Sequence, residues 1–199
     1  TALRRQRQMC IRDSVSTDDN EIADIAKYYG AQVPFVRPSE LSDDFTPTID
    51  VISHAITYEK KNGFLPNNVC CIYATSPFIE VSYIKSGLKK LNENKADYTL
   101  SISSYPFPIQ RALSINNNQK VEMLNPEHFY TRSQDLTSAW HDAGQFYWGK
   151  VNSWLNNIPI FGNNSLPIII PRYKSHDIDT LEDWENAEII FKTLYGKSK

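Results

Sequence analysis

Asp177 and Asp179 flank a single isoleucine just ahead of a helix-like run. In an extended segment, side chains two residues apart point the same way, so both carboxylates face one spot. Two hard oxygen donors held that close repel each other unless a cation joins them, and Mg²⁺ shared with phosphate oxygens is the usual solution. The plainer reading gives Asp179 to the cap of the following helix, since one Asp-x-Asp is common in any sequence. A second candidate is Tyr73-Ala74-Thr75-Ser76-Pro77, which follows an apolar run. Its small residues let a flat ligand approach the backbone, and the Thr75 and Ser76 hydroxyls can hydrogen-bond it, although an ordinary Ser-Pro turn reads the same way. Ser16-Thr17-Asp18-Asp19 falls where a strand passes into a helix, and capping alone accounts for it. The stretch from Tyr130 to Gly149 gathers Arg132, Gln134, Asp135, Trp140, His141, Asp142, Gln145, Tyr147 and Trp148 around Ala143-Gly144. So many large groups are costly to order as a solvated loop. Either a ligand or partner subunit uses them, or they pack over a sheet edge.

Other chemistries lack their signatures. No Gly-x-Ser-x-Gly, His-Glu-x-x-His, Gly-x-Gly-x-x-Gly or Cys/His zinc spacing occurs. His54 falls mid-helix and reads as structural. Cys70 and Cys71 point to opposite faces of a strand and read as core residues.

The elements that must hold these groups alternate between strand and helix. Val15 to Thr17 reads as a strand end, and Asp18 caps a helix with Glu21 completing a capping box. Ile22, Ile25, Ala26 and Tyr29 form its apolar stripe and Gly30 its stop. Ala31 to Arg37 reads as a strand. Thr46-Pro47 starts a second helix, with Val51, Ile52, Ala55 and Ile56 inward and Gly63 beyond its end. Val69 to Tyr73 has no charged residue and suits a central strand covered on both faces. Glu80 to Asn94 is a third helix, and Asp97 to Tyr105 alternates like a strand. Asn116-Asn117-Asn118 turns a hairpin between Gln110–Ser114 and Lys120–Leu124. The pattern is irregular from Pro126 until Gln145 to Trp148. Pro167 to Arg172 and His176 to Asp179 read as strands. Thr180 then caps a last helix carrying Leu181, Trp184, Ala187, Ile190, Phe191 and Leu194. The whole is one α/β domain, a three-layer, mostly parallel Rossmann-like sheet with helices on both faces.

The 199 residues, 41% hydrophobic and 12% aromatic, suffice for one ordinary core and argue against disorder. With 21 basic against 23 acidic residues there is no basic excess for a nucleic-acid surface. No window approaches ~18 uninterrupted apolar residues, so no membrane span is expected. Three cysteines, two of them adjacent, sketch no disulfide framework and fit a reducing cytoplasm.

Taken in order, the motifs resemble one family. Val15 to Ile22 (Val-Ser-Thr-Asp-Asp-Asn-Glu-Ile), Val33 to Asp44 (Val-Pro-Phe-Val-Arg-Pro-Ser-Glu-Leu-Ser-Asp-Asp) and Thr75-Ser76-Pro77 are similar to the CMP-sialic acid synthetases, the cytidylyltransferases that activate nine-carbon acidic sugars. Arg132 to Leu136, His141 to Gly149 and Asp177 to Trp184 complete the set. Tyr-Ala-Thr-Ser-Pro and His-Asp-Ala-Gly-Gln-Phe-Tyr-Trp look most like the pseudaminic acid branch; the sialic acid enzymes more often read Gln-Pro-Thr-Ser-Pro and Asn-Gly-Ala. The resemblance implies a nucleotide-diphospho-sugar transferase fold with a small dimerisation extension, a homodimer, and Mg²⁺ as cofactor. It also implies CTP and a nonulosonic acid as substrates. Arg37, Thr75 and Ser76 would hold the cytidine, Gln134, Arg132 and Tyr147 would meet the sugar, and Asp177 and Asp179 would hold the metal at the catalytic centre. Sialic or legionaminic acid as the sugar, and a non-catalytic nucleotide-binding or dimerisation remnant, are the alternative readings.

One stretch departs from the family. Its members open with a strand and a Gly-rich basic loop, similar to Ile-Pro-Ala-Arg-Gly-Gly-Ser-Lys-Arg-Ile-Pro-x-Lys-Asn, which aims N–H groups and cations at a triphosphate. In that place stand residues 1–14, arginine-rich and without lysine or glycine. They read as foreign sequence, with a basic arm as the alternative, leaving 15–199 as an N-terminally truncated cytidylyltransferase domain. A chain so built is expected to be inactive or nearly so.

Overall fold

A computed structural model describes residues 11–196. Most of the segment read as foreign, residues 1–10, lies outside the described residues. The chain divides into two compact units, residues 1–69 with 149–162 and residues 70–148 with 163–199.

In the first unit, helix α1 (Asn20–Tyr28) is capped by Asp19, whose carboxylate accepts from Glu21 N at 2.7 Å and Ile22 N at 3.1 Å. The expected cap, Asp18, is one residue early, because its carboxylate is taken by Arg37 at 3.0 Å; no capping box with Glu21 forms. Gly30 ends the helix at φ +93°, a conformation other residues rarely adopt. The predicted inward stripe is exposed at Ile22, Ile25 and Tyr29, and the buried residue is Ala23. The strands expected over Val15–Thr17 and Ala31–Arg37 shrink to one parallel bridge, Ser14 to Gln32. Helix α2 (Thr48–Lys61) follows Pro47, which as N-cap makes no side-chain bond, and it buries Ile56. Tyr58 and His54 pack on Phe35, and the Tyr58 hydroxyl donates to Pro34 O at 2.7 Å. The Arg12 guanidinium pairs with Glu59 at 2.6 Å and lies over the Phe64 ring, so the described end of the arginine-rich segment is held against α2.

The second unit is built on a four-stranded sheet ordered β1 (Asn68–Ile72), β5 (Trp140–Lys150), β2 (Tyr98–Ser104), β6 (Ser165–Ile169), with a separate hairpin of β3 (Leu113–Ile115) and β4 (Val121–Met123). The architecture is α/β and the sheet mixed, with β2 and β6 parallel. β1 lies at the edge, with Ile72 exposed, rather than at the centre as its apolar run suggested. The inner strands are β5 and β2, and β2 is buried on both faces. Its polar residues are sealed by backbone acceptors: Thr99 donates to Gly87 O at 3.0 Å and Ser103 to Ile170 O at 3.1 Å. A buried polar group so paired escapes most of its desolvation cost. Pro167 sits in β6, at the other edge, where a missing N–H is tolerated.

Helix α3 (Val81–Glu93) packs on β2 and β6, and the core there joins Ala143, Phe146, Ile168 and Ile170 to Ile84 and Trp148. β5 begins at Trp140, earlier than expected, and runs into a short helix α4 (Val151–Leu155) that the sequence pattern did not reveal. The expected strand His176–Asp179 does not form, and these residues have no regular secondary structure. Helix α5 (Leu181–Tyr195) starts in the capping box of Thr180 and Asp183. It buries Ala187 and leaves Leu181, Trp184 and Phe191 exposed.

Candidate functional site

Asp142, Tyr147, Ser76 and Gln145 of the second unit meet at one kink. Within β5, Gly144 takes φ +61°, in the left-handed region where glycine carries no Cβ penalty. This has the signature of a glycine-centred bulge, which turns successive amides out of ladder register. Asp142 accepts from Gly144 N at 3.0 Å with one carboxylate oxygen and from the Tyr147 hydroxyl with the other. Tyr147 is buried and its ring packs 5.3 Å from that of Tyr73. Burial, then the hydrogen bond to Asp142, pushes its phenol well above the usual range, so it stays a neutral donor.

The Thr75-Ser76-Pro77 loop hangs from the same kink. Tyr73 N donates to Gln145 O at 3.0 Å, and the buried Ser76 hydroxyl lies 3.2 Å from Gln145 O and 3.4 Å from Gly144 O. Thr75, beside it, is exposed in the turn. The loop thus presents Thr75 while Ser76 anchors it. Gln145 is buried, and its amide nitrogen donates to Lys174 O at 2.5 Å. Lys174 itself pairs with Glu80, the N-cap of α3, and lies over Tyr83 and Tyr173. That pairing draws the Glu80 carboxyl below, and the Lys174 ammonium above, their ordinary values.

Asp177 and Asp179 lie exposed in irregular backbone just before α5. Neither carboxylate enters an ion pair among the described residues. Among those residues no cluster of three or more His, Cys, Asp or Glu forms a ready-made cage. Two accessible carboxylates fit magnesium, which takes one or two such ligands and draws the rest from water and substrate phosphates. Arg132 and Gln134 lie in a short exposed turn, where Arg132 pairs with Asp135 at 2.9 Å. In the first unit, Arg37 spans its own loop: its Nε donates to Ser42 Oγ at 3.1 Å and its Nη2 to Asp18.

Sequence reasoning missed Ser101 and the Lys174–Glu80 pair. A signal for Ser101 existed, since Thr99, Ser101 and Ser103 share one face of a strand that alternates them with Tyr98, Leu100 and Ile102.

The sequence profile of the cytidylyltransferases matches residues 4–189. The pseudaminic acid cytidylyltransferase of Campylobacter jejuni is 39% identical over 178 residues, 89% of this chain and 77% of its own. A Helicobacter pylori protein named as pseudaminic acid cytidylyltransferase and UDP-2,4-diacetamido-2,4,6-trideoxy-beta-L-altropyranose hydrolase is 33% identical over 82% of this chain and 31% of its own. Among solved structures, CMP:2-keto-3-deoxy-manno-octonic acid synthetase complexed with CTP superposes with a TM-score of 0.64, covering 92% of this chain and 82% of that one, at 12% identity. That likeness is one of fold.

Proposed function

Because the chain belongs to the cytidylyltransferase family, we propose that it activates pseudaminic acid with CTP, giving the CMP-sugar and pyrophosphate. The observation that carries the choice of sugar is the 39% identity to a pseudaminic acid cytidylyltransferase along 77% of that enzyme.

In this reaction the sugar's anomeric hydroxyl oxygen bonds to the α-phosphorus of CTP. The bond from that phosphorus to the oxygen bridging to the β-phosphate breaks, pyrophosphate leaves with the electron pair, and the hydroxyl proton passes to solvent. Such transfers depend on positioning and charge neutralisation more than on covalent catalysis by the protein. Thr75 and Ser76 are assigned to the cytidine, with the anchored Ser76 backbone fixing where the Thr75 hydroxyl stands. Arg37 is assigned to the nucleotide as well, as a cation already oriented by Asp18 and Ser42. Tyr147, held as a neutral phenol by Asp142, is assigned to the sugar together with Gln134 and Arg132. Asp177 and Asp179 are assigned to magnesium, which when bound offsets phosphate charge.

A homodimer and a cytoplasmic setting belong to the same reading. Phe107, Leu113, Ile115, Val121, Phe129 and Tyr130 all lie exposed on and beside the β3–β4 hairpin, as a subunit contact would require.

Calorimetric titration of CTP into the full chain, with and without Mg²⁺, tests the assignment. CTP should bind with Mg²⁺-dependent affinity, and Asp177→Asn should remove that dependence. CTP binding indifferent to the metal would favour a non-catalytic nucleotide-binding remnant.

A further inference from the structure

We propose that Ser101, buried on β2, is a positioning residue for the nucleotide loop, acting through the Gly144 kink. The inference rests on Thr75 and Ser76 being the nucleotide contacts.

The kink leaves two successive amides of β5 pointing at one place, and Ser101 Oγ accepts from both Gln145 N and Phe146 N at 3.2 Å. Its own proton is directed at Phe146 O, 3.4 Å away. Ser101 is fully buried, so water does not substitute for the hydroxyl. An alanine there would leave two buried N–H groups without that acceptor, and the strand would have to turn to satisfy them. Any such turn carries the carbonyls on the far side of the same residues. Gln145 O receives Tyr73 N and the Ser76 hydroxyl, and Gly144 O lies within reach of that hydroxyl. Ser101 therefore sets the direction of the two acceptors from which the Thr75-Ser76 loop hangs, without being placed to touch a nucleotide itself. A serine suits the task. Its hydroxyl accepts twice and donates once, and it is small enough for an inner strand packed on both faces.

The experiment is calorimetric CTP binding with Mg²⁺ to the full chain and to Ser101→Ala, Ser101→Thr, Gly144→Ala and Thr75→Val, each held well below its own melting midpoint. Ser101→Ala should weaken CTP binding about tenfold, the size of one lost hydrogen bond. Ser101→Thr, which keeps the hydroxyl, should restore most of it, and Gly144→Ala should weaken CTP as Ser101→Ala does. If Ser101→Ala does not fold, Ser101→Cys, with a poor acceptor of similar size, takes its place against Ser101→Thr. Wild-type CTP affinity in folded Ser101→Ala, alongside a loss in Thr75→Val, overturns the role of Ser101 and leaves the nucleotide assignment standing. Unchanged affinity in Thr75→Val, or no CTP binding by the wild-type chain, overturns the assignment and the inference together. A loss that Ser101→Thr does not restore marks the position as packing alone and also overturns it.

Discussion

Arg12 donates to the Glu59 carboxylate at 2.6 Å, and that carboxylate, 10% exposed at its side chain, sits on the inner side of α2. Ser14 Oγ lies 3.4 Å from its other oxygen. Removing the cation strands a nearly buried charge, which costs more than the pair gains, although Arg12 is itself partly open to solvent. Arg12→Met should therefore lower stability by about 1–3 kcal/mol, and adding Glu59→Gln should recover part of the loss. Urea denaturation of the two variants checks this. A wild-type midpoint for Arg12→Met would mean that the pair contributes nothing to the fold.

Gly87 lies on the face of α3 that meets the sheet. A Cβ there would stand 2.8 Å from Trp148 Cδ1, 3.1 Å from Phe146 Cε2 and 3.2 Å from Thr99 Oγ1. Gly87→Ala gains helix propensity but overpacks a fully occupied contact. The overpacking should win, with a net destabilisation of about 1–2 kcal/mol read from the thermal midpoint. A higher midpoint would show that the Trp148 ring yields at no cost.

The Lys174–Glu80 pair sets a pH window. The Lys174 hydrogen bond draws Glu80 below its ordinary 4.5, so its contribution is present above that value and fades as pH falls through the lowered one. Lys174 is raised above its ordinary 10.5, so its contribution is lost only as pH rises beyond that. The stability difference between wild type and Lys174→Met should be flat between roughly pH 5 and 10 and shrink in stronger acid. Melting curves from pH 3 to pH 9 measure it. A difference that persists undiminished at pH 3 would assign the effect to packing on Tyr83 and Tyr173 instead.

Cys70 and Cys71 are kept as thiols by burial, which pushes Cys71 up to about 12 and Cys70 higher still. Neither should react with iodoacetamide at pH 8 until denaturant is added, because the thiolate is the nucleophile. Peptide mass spectrometry after a short pulse would detect modification at either position in the folded chain, which would contradict the enclosure of these two thiols.

The order of helices and strands was legible because periodicity reports which face is apolar. Thr180 announced the cap of the last helix, and Asn116 to Asn118 their hairpin turn. Strand position within the sheet was not legible. Val69 to Tyr73 is more apolar than Asp97 to Tyr105, yet it lies at the edge while β2 lies inside, because β2 hides its Thr and Ser side chains by bonding them to backbone carbonyls. Helix caps were read one residue off where two adjacent aspartates competed, and only the placement of Arg37 decided between Asp18 and Asp19. The candidate site divided along the same line. Thr75, Ser76, Asp177 and Asp179 stand out by residue type and spacing. Ser101 shows only as a polar residue on the strand face it shares with Thr99 and Ser103, and the Gly144 kink does not show at all, since their work consists of directing backbone groups that a sequence pattern does not display.

Product formation is the most direct measurement of the central claim. The full chain, at concentrations stoichiometric with sugar, is incubated with CTP and Mg²⁺ and with pseudaminic, sialic or legionaminic acid in turn. CMP-sugars are then quantified by mass spectrometry, so that even slow turnover registers. CMP-pseudaminic acid should form in excess over the other two products, with matching pyrophosphate release. A preference for sialic or legionaminic acid over pseudaminic acid would contradict the assignment.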